Sequence, residues 1–211
     1  WVKEAVSTNS DGANNIKIID IDNDGDQDIL ASSENDDTIA WFKNDGSTNP
    51  NWTKINVSTI ADGARSVDAA DIDNDGDLDI LSTSTNDGKV TWYRNDGTNN
   101  PSWIAKNISN IDTPDSSGFR DVSLADIDKD GDLDIAASTV NDNIYIYFNN
   151  LNWNGQTIES IQSWNYINLI PSGDGQIEFL DVDKDGDLDL LFGSQTDGFG
   201  WYKNKTNEIN I

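Results

Sequence analysis

The stretch DIDNDGDQD, from Asp20 to Asp28, places five carboxylates at alternate positions of nine residues. Such a run repels itself in water, and an apolar core accepts it only at a steep desolvation cost. The same figure returns as DIDNDGDLD (Asp71–Asp79), DIDKDGDLD (Asp126–Asp134) and DVDKDGDLD (Asp181–Asp189). The starts lie 51, 55 and 55 residues apart, and glycine is always sixth. Recurrence at a period of about 50 residues marks a repeat architecture.

The segments around the loops repeat as well. NIKII, SVDAA, DVSLA and QIEFL precede them, and DILASS, DILSTS, DIAAST and DLLFGS follow. Next come a polar turn (ENDD, TNDG, VNDN, QTDG) and an aromatic segment (IAWFKN, VTWYRN, YIYFNN, FGWYKN). A last segment is led by tryptophan: WVKEAVST, WTKINVST, WIAKNISN and WNYINLI. Alternation, β-branched residues and Asn/Asp/Gly punctuation predict antiparallel strands throughout. Four short strands in about 50 residues is the arithmetic of a propeller blade. The sequence therefore predicts an all-β chain, a four-repeat β-propeller with an acidic loop between the first two strands of each blade. It is read as one domain over residues 1–211, with repeats 1–51, 52–102, 103–163 and 164–211.

Trp1 aligns with Trp52, each 19 residues before its acidic loop, while no tryptophan-led segment follows Trp201–Asn204. Residues 1–8 are thus expected to complete the last blade beside the strand of Trp201, which would remove both open edges. If the four-blade ring does not close alone, self-association is expected instead.

Composition bounds the function. With 13 basic and 39 acidic residues the formal charge is −26, and 20 of the acids sit in the four loops. That surface disfavours nucleic acid and anionic membranes and favours cations. Eight Trp, five Tyr and six Phe argue against disorder despite the charge. Cys, His and Met are absent, so the common nucleophile–base pairs are unavailable. No apolar run approaches the roughly 18 residues of a membrane span. Beginning at Trp1 without Met or leader, the chain has the look of a mature or excised segment.

Hard cations such as calcium take many oxygen ligands from tightly turned loops, whereas magnesium prefers to keep its waters. In the first loop the side chains of Asp20, Asp22, Asp24 and Asp28 can converge, Gly25 permits the turn, and the carbonyl of Asp26 can point inward. An EF-hand would add a glutamate at the twelfth position, where Ala31, Ser82, Ala137 and Phe192 stand instead. The flanks also read as strands rather than helices.

Strand, D-x-D-x-D-G-x-x-D, strand and aromatic strand together resemble the FG-GAP and VCBS-type repeats of integrin-like β-propellers. The resemblance spans essentially the whole chain, although the nearest trace of an FG-GAP signature is LFGS at Leu191–Ser194. It implies one calcium per repeat, four in all. Side-chain ligands would be Asp20, Asp22, Asp24 and Asp28; Asp71, Asp73, Asp75 and Asp79; Asp126, Asp128, Asp130 and Asp134; and Asp181, Asp183, Asp185 and Asp189. Carbonyl donors would be Asp26, Asp77, Asp132 and Asp187. It further implies that the loops lie on the face opposite the ligand-binding surface, and that related propellers often have seven blades.

Other residues carry two readings each. Trp41, Trp92, Tyr147 and Trp201 align at one repeat position, as do Trp1, Trp52, Trp103 and Trp164; they are sugar-stacking platforms or packing between blades. Arg65 and Arg120 share a position held by Asn14 in the first repeat, and either balance charge near the axis or reach an anionic ligand. Repeat three is longer at Ser109–Gly118 and Leu151–Ser163, where Trp153 has no counterpart; it is a binding residue or folds onto the blade edge. The expected function is a non-catalytic, extracellular calcium-binding module for carbohydrate or a protein partner, secreted or at the surface of a bacterium. The alternatives are an accessory domain of a secreted polysaccharide-degrading enzyme and a structural, self-assembling repeat segment.

Overall fold

The computed structural model describes residues 1–98, 100–109, 118–149, 164–169, 175–194 and 198–205. These form fifteen strands in four antiparallel sheets, with no helix among the described residues. The first sheet is β1 (Ala13–Ile19), β2 (Asp28–Ser33), β3 (Thr38–Asn44) and β4 (Trp52–Ser58), paired in chain order. The second repeats this with β5 (Ala64–Ala70), β6 (Asp79–Ser84), β7 (Lys89–Arg94) and β8 (Ile104–Asn107). The third holds β9 (Phe119–Ala125), β10 (Asp134–Thr139), β11 (Ile144–Phe148) and β12 (Asn165–Leu169). The fourth has three strands, β13 (Ile177–Leu180), β14 (Asp189–Ser194) and β15 (Gly198–Tyr202). Each sheet is one propeller blade, and the tryptophan-led strands close the blade before them.

Blades pack face to face, which explains why both faces of the middle strands are apolar. Leu30, Ile39 and Trp41 project forward from the first blade onto Val67, Ala69 and Tyr93 of the second. Leu81, Val90 and Trp92 project from the second onto Val122, Ile135 and Tyr147 of the third. Ala136, Ile144 and Ile146 meet Ile177, Leu190 and Tyr202 of the fourth. Polar ties lock the same joints: Ser32, Thr83 and Ser138 donate hydroxyl bonds to the carbonyls of Arg65, Arg120 and Gly175 in the following blade.

The structure differs from the sequence reading at two points. Tyr147 does not share the position of Trp41 and Trp92. In the third blade Ala136 pairs with Ile146, as Leu30 pairs with Trp41, so Ile146 faces forward and Tyr147 faces back. The turn after β10 is one residue shorter, and strand side chains alternate, so the one-residue change moves the aromatic to the other face. Trp41, Trp92 and Tyr147 are all fully buried between blades, which makes them packing residues.

Residues 1–8 form no strand, and Trp1 is fully exposed. Among the described residues β15 pairs with β14 alone. The physical reason lies at the ends of the blade series, whose outward faces do not pack on each other: Ile16, Ile18, Phe199 and Trp201 are all exposed. Trp153, and nearly all of both insertions in repeat three, lie outside the described residues.

Trp92→Ala should cost about 3–5 kcal/mol, the range for emptying a fully buried large aromatic site. Trp201→Ala, at a half-open position, should cost less than about 2 kcal/mol. Denaturant unfolding of both variants in calcium buffer measures the difference; equal losses would contradict the packing described.

Candidate functional site

The four inner strands β1, β5, β9 and β13 all run the same way, so the four acidic loops that follow them gather at one end of the molecule. Each loop backbone is set by two left-handed residues. Gly25, Gly76, Gly131 and Gly186 have φ of 95°, 96°, 98° and 90°, and a Cβ there would meet no neighbour. Glycine is therefore required by conformation rather than by space. Two positions earlier Asn23, Asn74, Lys129 and Lys184 are also left-handed, which asparagine tolerates best.

The first aspartate closes the turn: Asp20 accepts from the N–H groups of Asp24 and Gly25, and Asp71 from those of Asp75 and Gly76. Asp126 and Asp181 accept from Gly131 and Gly186. The aspartate at position five caps the residue at position seven, as Asp24 does for the N–H of Asp26. The aspartate at position nine is fully buried and serves both flanks. Asp28 accepts from Ile21 N at 3.2 Å and from Asn44 N at 2.8 Å, and Asp79, Asp134 and Asp189 repeat the pair.

These bonds leave carboxylate oxygens aimed at one point. Asp20, Asp22 and Asp28 each bring one oxygen within 4.8 Å of the others, as do Asp71, Asp73 and Asp75, Asp126, Asp128 and Asp134, and Asp181, Asp183 and Asp189. In every loop one of these clustered residues also has a buried carboxylate oxygen with no hydrogen-bond donor: Oδ1 of Asp22, Asp73, Asp126 and Asp181. A buried carboxylate oxygen without a donor costs free energy that a divalent cation would recover, so the donor set fits calcium. Two of the side chains at position seven are engaged by the preceding loop: Asp132 accepts from Asn74, and the buried Asp187 from Lys129, which leaves their carbonyls to face the loop.

Cations of the chain also touch three loops, a feature the sequence reading missed. Lys43 bridges Asp22 and Asp24, Arg94 bridges Asp73 and Asp75, and Lys203 bridges Asp183 and Asp185. Phe148 holds the corresponding place in the third blade. The signal was legible as the residue before the closing asparagine of each aromatic strand.

At the opposite end the predicted arginines do come together. Asn14, Arg65 and Arg120 from β1, β5 and β9, with Gly175 just before β13, line an opening of about 220 Å³ with Asn15, Ser66, Asp121 and Gln176. A cavity of about 430 Å³ sharing those last four residues follows the inner strands. Arg65 reaches Glu34 at 2.7 Å. Ser66 donates to Asp121 at 2.6 Å, and Asp121 accepts the N–H of Ile177 at 2.9 Å, which ties three blades around the axis.

Burial raises the carboxyl of Asp28, pushes Asp79 up to about 7 and Asp134 up to about 6, with the bonds from Asn44, Asn95 and Asn149 opposing. A carboxyl raised in the folded state binds its proton more tightly there than in the unfolded chain. Its contribution is full below about pH 4 and is lost as pH rises through the folded value. Metal-free protein in chelator should therefore melt progressively lower between about pH 4 and pH 7, and calcium should flatten that slope. A calorimetric pH series with and without chelator checks both; a metal-free melting point that rises over that range would be the contrary result.

Comparison with known proteins agrees with this geometry. The model of the FG-GAP-like repeat matches residues 20–82, 74–137 and 126–192. No curated protein matches significantly. Among solved structures, BBS1N crystallised in complex with ARL6DN and soaked with lead is similar over 90% of this chain and 53% of its own, at TM-score 0.55 and 12% identity. An Agrocybe aegerita lectin whose structure is described as showing specific recognition of non-reducing terminal N-acetylglucosamine is similar over 88% and 50%, at TM-score 0.53 and 19% identity. The chain thus spans about half the length of these matched structures, and the likeness is one of fold. The glycine-turned acidic loops, the four blades and the family match together place this chain in the FG-GAP-like repeat family.

Proposed function

We propose that the chain is an extracellular, calcium-stabilised β-propeller that acts as a non-catalytic binding module, with its ligand surface at the end away from the acidic loops. The observation that carries the metal reading is the donorless buried oxygen found once in each of the four loops. Calcium would be held by the carboxylates at positions one, three, five and nine of a loop with the carbonyl at position seven. It would supply charge compensation and rigidity and take no part in chemistry. The opening of Asn14, Arg65 and Arg120 favours a ligand with anionic or hydroxyl-rich groups, a carbohydrate or an acidic protein surface. Relatives in fold include one propeller solved with a protein partner and one described as a sugar-recognising lectin, which supports a binding role of either kind.

Compartment follows from affinity. Extracellular calcium modules bind at roughly 0.1–1 mM, and cytosolic calcium is too scarce to fill such sites. A ligand held only by the folded state at about 100 times its dissociation constant contributes roughly 2.7 kcal/mol. Four such sites contribute on the order of 10 kcal/mol, comparable to the whole stability of a domain.

Chelation should lower the melting temperature by more than about 15 °C, and magnesium should restore it poorly. Native mass spectrometry should count four calcium ions, and three in Asp73→Asn. An unchanged melting curve in excess chelator would overturn the calcium reading and the compartment drawn from it. For the opposite end, a glycan array and a panel of extracellular proteins screened in calcium should yield a ligand that Arg65→Ala with Arg120→Ala weakens at least about tenfold. Binding that survives the double substitution would place the ligand elsewhere.

A further inference from the structure

Both ends of the blade series expose a face that is buried or partly buried in the other described blades. The forward-facing pair of β3, Ile39 and Trp41, is fully buried, and so are Val90 and Trp92 in β7. The same pair in the last blade is Phe199 and Trp201, at 93% and 41% exposure. The back-facing pair of β5, Val67 and Ala69, is buried, whereas its equivalents in the first blade, Ile16 and Ile18, stand at 63% and 60%. One end thus offers a forward face and the other a back face, the two halves of the joint formed three times inside the chain.

The polar ties end in the same way. Asn74 reaches Asp132 at 2.8 Å, and Lys129 reaches Asp187 at 2.6 Å, each from the fourth position of one loop to the seventh of the next. Lys184 holds the fourth position of the last loop and is exposed, and Asp26 holds the seventh position of the first. A cation therefore closes one end of the series and a carboxylate the other.

We propose that the last blade of one copy seats on the first blade of a second copy, head to tail. Phe199 and Trp201 then cover Ile16 and Ile18, and Lys184 pairs with Asp26. Complementarity favours a second copy as the occupant, since the two end faces are the two halves of a joint this chain already makes and carry opposite charges at Lys184 and Asp26. A joint between unlike faces either closes into a ring or continues as a filament, and two joints between two copies close the smallest ring. This association stands apart from the ligand reading, because it uses neither the arginine opening nor the calcium ligands' side chains.

The test is sedimentation of the 211-residue chain, 23.2 kDa, over a range of concentrations in calcium. Mass should rise with concentration to twice the chain or a higher multiple. Phe199→Asp removes the forward face and Ile18→Asp the back face; both sites are exposed, and the melting temperature of each variant reports its folding. Each variant alone should associate at least about tenfold more weakly, and their equimolar mixture should give a one-to-one dimer through the single intact joint. Four results would overturn the proposal: a wild-type chain that stays monomeric at all concentrations, a ring that closes within one chain, association untouched by either substitution, or a mixture that remains monomeric. The last would mean that like faces meet instead.

Discussion

Every blade depends on one buried carboxylate. Asp28, Asp79, Asp134 and Asp189 each accept one N–H from the second residue of the acidic loop and one from the asparagine at or just past the end of the third strand. Through that single group the inner strand, the second strand and the third strand are held at one corner. Charge-assisted bonds offset much of the desolvation of such a group. The remainder appears as the upward pressure on the carboxyls of Asp28, Asp79 and Asp134. A cation at the loop would relieve the same burden, so the corner that builds the blade is also the corner that asks for metal.

The joints between blades show a different economy. Among the described residues no backbone ladder runs from one sheet to the next. Side chains do the joining: aromatic and branched residues fill the space between sheets, and single hydroxyls or amides reach the neighbour's carbonyls. Asn149 and Asn204 extend the pattern at the loop end, donating to the carbonyls of Ile72 and Ile127 in the preceding blade. Stability is therefore a sum over neighbouring pairs, and the outermost blades receive half the support of the middle ones.

Much of this was legible in the residues themselves. Alternation placed the strands, and the spacing from Asp20 to Asp71 and onward gave blade number and loop position without any partner information. The twelfth position correctly excluded an EF-hand, since Ala31, Ser82, Ala137 and Phe192 all lie in second strands. What sequence did not show depends on geometry across blades. The pairing of Lys43, Arg94 and Lys203 with acidic loops needs the third strand folded back beside the first turn. The ring of Asn15, Ser66, Asp121 and Gln176 needs four inner strands brought around one axis. The state of residues 1–8 depends on whether distant ends meet, and no local pattern carries that.

The short turn after β10 sets a rule of parity for this architecture. Ile146 and Tyr147 exchange places relative to Trp41 and Phe42 because one residue is missing between Thr139 and Ile144. The third strand tolerates the loss because its own pattern, IYIYF, is shifted by one, with bulk and branching on alternate sides. Adding or removing one residue in such a turn reverses which side of the strand meets each neighbour, while a change of two preserves it. Drift in turn length is thus quantised by the pleat. This chain records the odd step twice: the pairs Ala136–Ile146 and Leu191–Trp201 each span one residue less than Leu30–Trp41, and the fourth blade keeps Trp201 facing forward because its tryptophan also lies one residue nearer the loop.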